Sequence, residues 1–359
     1  MKIRRIELSN YRKYRNKEVL LNPGINIIYG DNAVGKSTIL EAIHFLIMLR
    51  TMRNTNEDSV IRVGAEETVV FGAFEGKKTQ KNAIVLISKN YKKMSLDGVA
   101  IKKASEYIGF SDVVSFGTED VDVVSGSPLN RRKMMDLFFS QYDSIYLEKL
   151  REYKNVLKER NIFLKDTDFT NKHNVILLNV IDNKLANLSS ELTDKRQKMI
   201  KIINEQLAVV HFRLSGEKEK CLVKYIPSWD LNKGVEQLID ARNKDFIYKT
   251  TTIGPHRDDY VFYINNNKNL SKYGSQGQKK TSILSFKLTC VELLKRKKHR
   301  NPIVLLDDVF GELDSNRHNS LLEFLEEDIQ TIITTPSLKE LKQELIDKAN
   351  IICLEKEEV

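Results

Sequence analysis

The chain has 359 residues, 41% hydrophobic and 30% charged, with a formal net charge of +9. That length supports a large core and two lobes, and the composition is that of a globular protein, not a disordered or membrane-embedded one. Three cysteines and six histidines are scattered without metal or redox spacing, which excludes a disulfide framework or zinc site and reads as reduced thiols in a cytosolic protein.

The opening residues, MKIRRIELSN, are basic but carry no apolar stretch. Ile3, Ile6 and Leu8 therefore read as a first strand, not a signal peptide, and no apolar run approaches membrane-spanning length. Ile25 to Tyr29 is an apolar strand, and Thr38 to Leu49 an apolar helix. Between them stands Gly30-Asp31-Asn32-Ala33-Val34-Gly35-Lys36-Ser37, the phosphate-binding P-loop pattern in its proper strand-to-helix setting. Its glycines let backbone N–H groups close around phosphates, Lys36 adds a mobile charge, and the Ser37 hydroxyl is suited to Mg²⁺.

Strands are expected at Thr68 to Phe74 and Asn82 to Ser88, with a polar turn around Lys92 and Lys93. Residues 129 to 165 then contain no Gly or Pro, and apolar residues recur at helical spacing. After a polar break, Asp166 to Asn174, a second helical stretch runs from about Val175 to Phe212. Two antiparallel helices forming an arm fit this pattern, as does a plain helical subdomain. Strand character returns near Lys249, with a strand at Tyr260 to Ile264 and a turn at Asn265 to Asn267. A helix follows over Lys280 to Lys297, then strand Ile303 to Leu306, helix Asn316 to Glu326, strand Thr331 to Thr335 and strand Ile351 to Leu354. Strands alternating with helices predict a largely parallel sheet.

Ile303 to Leu306 ends in Asp307-Asp308, the Walker B form. Asp307 is expected to hold Mg²⁺, and Asp308 to polarise the attacking water or accept its proton. Ser275-Gln276-Gly277-Gln278 precedes a helix, where a hydroxyl, N–H groups and the helix dipole can bind phosphate. A second phosphate cradle is most useful for the nucleotide of a second subunit. In that ATP-binding-cassette (ABC) arrangement, two heads sandwich two ATP molecules.

These motifs in this order resemble the ABC-type ATPase heads of the SMC-like chromosome and repair proteins. Further segments narrow the resemblance to the RecF family. They are Asn10-Tyr11-Arg12-Lys13-Tyr14, Gly126-Ser127-Pro128 with Arg131-Arg132 and Asp136, Gly254-Pro255-His256-Arg257-Asp258-Asp259, and Glu312-Leu313-Asp314. The resemblance spans nearly the whole chain. It implies an α/β head with a mixed sheet, β-rich in its N-terminal part, and an inserted helical arm lobe. The expected divisions are 1–127 and 249–359 for the head and 128–248 for the arm. It further implies a weak DNA-stimulated ATPase of recombinational gap repair, replication and the SOS response. Its cofactors would be ATP and Mg²⁺, and its form an ATP-dependent homodimer on DNA, single-stranded, duplex or at gap junctions. RecR, with RecO, and RecA are its implied partners, the cytoplasm its place.

On this resemblance the nucleotide contacts are Gly30 to Thr38, Arg12, and from the partner Ser275, Gly277 and Gln278. Lys36 and Asp308 are the catalytic residues, and Ser37 and Asp307 the metal ligands. His256 and Arg257 contact the nucleotide or lock a loop. Basic clusters at Lys77-Lys78, Lys92-Lys93, Arg131-Arg132 and Lys295 to Lys298 are candidate DNA contacts. The alternatives are a transporter subunit or another SMC-like ATPase. The first usually pairs Glu with the Walker B Asp and lacks the insertion. For a long-armed SMC protein, an insertion of about 120 residues is short.

Overall fold

The computed structural model describes residues 1–52, 57–117, 119–166, 171–265, 268–310, 321, 323–324 and 328–355. The chain divides into two compact units: Met1–Asp120, Arg213–Glu217 and Ile283–Val359 form the first, Val121–Phe212 and Lys218–Ser282 the second. The expected boundaries differ from this division, because residues 249 to 282 group with the helical insertion.

In the first unit, β1 (Lys2–Tyr11), β2 (Tyr14–Leu20), β4 (Glu67–Glu75), β5 (Gln80–Ser88), β6 (Lys92–Leu96) and β7 (Val99–Ile101) form an antiparallel sheet in the order β2-β1-β4-β5-β6-β7. The turn expected at Lys92 and Lys93 lies earlier. The Ser88 hydroxyl accepts from the N–H groups of Asn90 and Tyr91, closing the chain there and leaving both lysines in β6. The second sheet is entirely parallel. It consists of β3 (Ile25–Tyr29), β8 (Val113–Gly117), β12 (Ile303–Asp307), β13 (Thr331–Thr335) and β14 (Asn350–Cys353), in the order β14-β3-β13-β12-β8.

Between the sheets runs α1 (Lys36–Met48), which packs on β1, β4 and β5 on one side and β8, β12 and β13 on the other. It is buried all round, as a helix with two partners must be. At Gly72 of β4 a Cβ would stand 2.5 Å from Leu46 Cδ2, so glycine admits the helix to the sheet. The short α2 (Ala104–Tyr107) precedes β8, and α3 (Asp120–Ser125) begins at the unit boundary.

In the second unit the helix expected over 129 to 165 is two helices, α4 (Pro128–Tyr142) and α5 (Ser144–Asp166). Asp143 separates them in an extended conformation. Its carboxylate accepts from the Ile145 N–H and from Lys195 Nζ at 2.6 Å. The second stretch is one helix, α6 (Lys172–Leu214), of 43 residues, roughly 65 Å at 1.5 Å per residue. A three-stranded antiparallel sheet, β11-β10-β9, joins β9 (Cys221–Ile226), β10 (Asp259–Ile264) and β11 (Lys268–Asn269). This pairing, and the packing of α4 on β10, place residues 249 to 282 in the second unit. Near Lys249, where strand character was expected, α7 (Glu236–Tyr248) ends with Lys249 in the left-handed region. After α8 (Leu270–Tyr273) comes α9 (Gln276–Lys298), within which the unit boundary falls. A short α10 (Gln343–Asp347) precedes β14. Glu312 to Asp314 and the helix expected at Asn316 to Glu326 lie largely outside the described residues.

Candidate nucleotide-binding site

The loop after β3 takes the backbone its glycines permit. Gly30 has φ 151° and Gly35 φ 102°. A Cβ at Gly30 would stand 2.3 Å from the Leu354 carbonyl oxygen, and one at Gly35 2.3 Å from the Tyr14 hydroxyl. No side chain fits either position without moving its neighbour. Asp31, Asn32 and Ala33 are exposed, Ser37 and Thr38 half-buried at the first turn of α1. Lys36 is 4% exposed, and its Nζ donates to the carbonyls of Gly30 (2.7 Å) and Asp31 (2.9 Å). The ammonium thus sits inside the loop on neutral acceptors.

The β1–β2 hairpin braces the loop from outside. Tyr14, buried, donates its hydroxyl to the Val34 carbonyl at 3.1 Å, and Lys13 Nζ donates to the Ala33 carbonyl at 3.1 Å. Arg12, expected at the phosphates, makes a bidentate pair with Glu41 of α1, at 3.0 and 2.7 Å. The hairpin's Lys13 and Tyr14 were part of a legible segment, but their contact with the loop was not foreseen.

Asp307 ends β12, one strand removed from β3, and β13 lies between. There Thr334 donates its hydroxyl to Asp307 Oδ1 at 2.8 Å, and its oxygen accepts the Asp308 N–H at 3.0 Å. Asp308 has φ 51°, an unusual conformation for a non-glycine residue and one that clusters at functional sites. One threonine thus sets both acidic residues. Thr334 lies within the strand expected at Thr331 to Thr335, outside every motif.

In the second unit, Ser275 caps α9. Its hydroxyl accepts the Gln278 N–H at 3.2 Å, while Gln278 Oε1 accepts the Ser275 N–H at 3.1 Å, a reciprocal capping box. Gln278 Nε2 also donates to Glu219 Oε1 at 2.7 Å. Ser275 is exposed and Gly277 half-buried.

The Gly254 to Asp259 segment is a structural knot of that unit. His256 bonds the Tyr153 hydroxyl (2.6 Å) and the Thr251 carbonyl (2.9 Å), and burial lowers its pKa to about 4. Arg257 donates to the same Thr251 carbonyl. Asp258 accepts from Arg196, Tyr225 and the Ser228 N–H. Arg131 clamps Asp259 at 2.8 and 3.0 Å, and Arg132 donates to the Asp258 carbonyl at 2.6 Å. The pair counted as a basic cluster is therefore engaged inside the fold. Lys77 and Lys78, by contrast, are exposed. Among the described residues no group of His, Cys, Asp and Glu forms a ready-made metal cage, and no helix is long and apolar enough to cross a membrane.

A parallel sheet with a P-loop on one strand and paired aspartates two strands away, an antiparallel sheet beside it and a helical insertion define an ABC-type ATPase head of the SMC class. The family model described as RecF/RecN/SMC N terminal domain matches residues 2–357. An Smc head domain from Pyrococcus furiosus shares the fold at a TM-score of 0.53 and 17% identity. The chain belongs to the RecF family. The DNA replication and repair protein RecF of Lachnospira eligens is 38% identical over 342 residues, covering 95% of this chain and 94% of that protein. RecF of Geobacillus kaustophilus is 33% identical over 356 residues, covering 96% and 95%. A solved structure of the recombination mediator RecF with ATP, in the RecFOR pathway, has a TM-score of 0.86 at 30% identity, covering 95% and 93%.

Proposed function

We propose that this chain is an ATP-switched DNA-binding protein of recombinational gap repair, acting in the cytoplasm. It closes as a homodimer on DNA when it holds ATP, acts with RecR and RecO, and helps load RecA at single-strand gaps. Roles in replication and the SOS response belong to the same reading. The observation that carries it is the Thr334-centred pairing of Asp307 and Asp308 in the sheet that bears the P-loop.

Each residue has a task suited to its setting. The loop N–H groups, Lys36 and Thr38 bind the triphosphate, where negative oxygens are far stronger acceptors than the two carbonyls Lys36 now holds. Mg²⁺ fits an oxygen set of Ser37 and Asp307 and would supply charge neutralisation at the phosphates. Asp308 orients the attacking water and takes its proton as the bond to the γ-phosphorus forms and that to the β–γ bridging oxygen breaks, leaving ADP and phosphate. An Asp is one methylene shorter than Glu, so hydrolysis is slow and serves as a timer. Ser275, Gly277 and the α9 N-terminus cover the γ-phosphate of the other subunit. ADP lacks that phosphate and does not bridge the heads. DNA is held mainly through its phosphates, with Lys77 and Lys78 among the contacts, and affinity falls steeply with salt.

The test is mass by light scattering in ATP, ADP and no nucleotide, for the parent, Ser275→Arg and Asp308→Asn. The parent dimerises in ATP only, Ser275→Arg binds ATP but stays monomeric, and Asp308→Asn dimerises but does not turn over. A dimer of equal strength under all conditions refutes the switch.

A further inference from the structure

The corner from α8 into α9 is built rigidly. The Asn269 side chain accepts the Ser271 N–H at 2.9 Å, and the Gly274 N–H bonds the Leu270 carbonyl at 3.0 Å. Leu270 is fully buried, and a Cβ at Gly274 would meet its Cδ2 and its carbonyl oxygen, each at 2.6 Å. From the next residue, the reciprocal Ser275–Gln278 cap fixes the start of α9. Tyr273 stands on this corner 66% exposed. Rigid backbone and an outward aromatic ring together make a preorganised contact, and Tyr is enriched among residues that dominate interfaces.

We propose that Tyr273 is an aromatic anchor of the ATP-dependent homodimer, buried against the nucleotide-bearing face of a second copy of this chain. The proposal rests on the switch described above. The occupant follows from charge. The corner combines exposed Lys272, half-buried Lys279 and the positive end of a 23-residue helix. Its complement is a polyphosphate, which a second copy presents on its P-loop beside its exposed Asp31. Ser275 meets that charge, and the neighbouring ring covers the contact and excludes water.

The experiment measures two quantities on the full chain carrying Asp308→Asn, so that ATP persists: ATP affinity at concentrations where the protein is monomeric, and the dimer dissociation constant by sedimentation. Tyr273→Ala should weaken the ATP dimer by about tenfold or more, with monomer ATP affinity unchanged, and Tyr273→Phe should restore it. In Tyr273→Trp, emission should shift to the blue with ATP and not ADP; the native Trp229, 2% exposed, gives a steady background. If Tyr273→Ala dimerises like its parent while Ser275→Arg does not, the anchor is refuted and the switch stands. If Ser275→Arg also dimerises like its parent, the switch itself fails. Loss of monomer ATP affinity in both Tyr273→Ala and Tyr273→Phe would make the ring a support of the fold and overturn the proposal.

Discussion

The P-loop lysine of the first unit and two buried arginines of the second are held in opposite ways. In the first, Lys36 rests on two carbonyl oxygens. In the second, Arg160, fully buried, pairs with Asp182 and Asp245 at 2.6 Å each, and Arg196 pairs with Asp136 at 2.9 Å and Asp258 at 2.7 Å. A cation on neutral acceptors is ready to exchange them for a charged ligand. A cation between carboxylates is committed to the fold. A signature-like sequence segment can therefore be either a binding site or a structural joint, and its acceptors tell which.

The comparison breaks most sharply at Arg160. Arg160→Ala leaves Asp245 buried without its cation, at a cost of about 3–5 kcal/mol. Urea unfolding followed by Trp229 fluorescence should show that loss, while the folded variant binds ATP like the parent. An unmoved transition would mean the second unit does not depend on its buried charges.

Acid sharpens the comparison, because one histidine in each unit has its pKa lowered by burial. Burial lowers His44 in the first and His256 in the second to about 4. Unfolding returns both near 6.5, so between those values the unfolded chain binds more protons. The stability they contribute is full above about pH 6.5 and is lost as pH falls toward 4, by about 3 kcal/mol per histidine. Unfolding measured from pH 7.5 to 4.5 should show the slope, and His256→Gln should flatten it.

Lys36→Ala should lower ATP affinity roughly 10- to 100-fold, the loss expected for a hydrogen-bonded charge, and leave the unfolding midpoint within experimental error. Parent-like ATP binding would reassign the loop. The smallest effect is expected at Arg12. Its removal leaves Glu41, whose side chain is 8% exposed, without its bidentate partner. Arg12→Ala should destabilise by about 1–2 kcal/mol, and adding Glu41→Gln should recover most of it. A loss in ATP affinity as large as that of Lys36→Ala would instead put Arg12 at the phosphates.

What was legible in the sequence was local. Strand Ile25 to Tyr29, strand Thr331 to Thr335 and the loop between β3 and α1 have their causes within a few residues: apolar runs, then glycines where φ is positive. What was not legible depends on partners far away. Arg131 looked like a surface cation because Asp259, its partner, is 128 residues distant. The break at Asp143 depends partly on Lys195, 52 residues on. Short strands such as β8 and β9 give too few residues for periodicity to separate them from loops. Thr334 has no motif around it and gains its role only because β13 inserts between the P-loop strand and the acidic strand.

The position of β3 has a consequence for synthesis. Both of its sheet neighbours, β13 and β14, come from residues 331 to 353, about 300 positions later. At a translation speed of about 5–20 residues per second, the P-loop strand waits roughly 15 to 60 seconds for its neighbours. During that time the growing chain holds the phosphate-binding segment without the sheet that fixes it, and the aspartates at its far side are not yet made. A polypeptide halted before residue 330 therefore lacks both neighbours of β3.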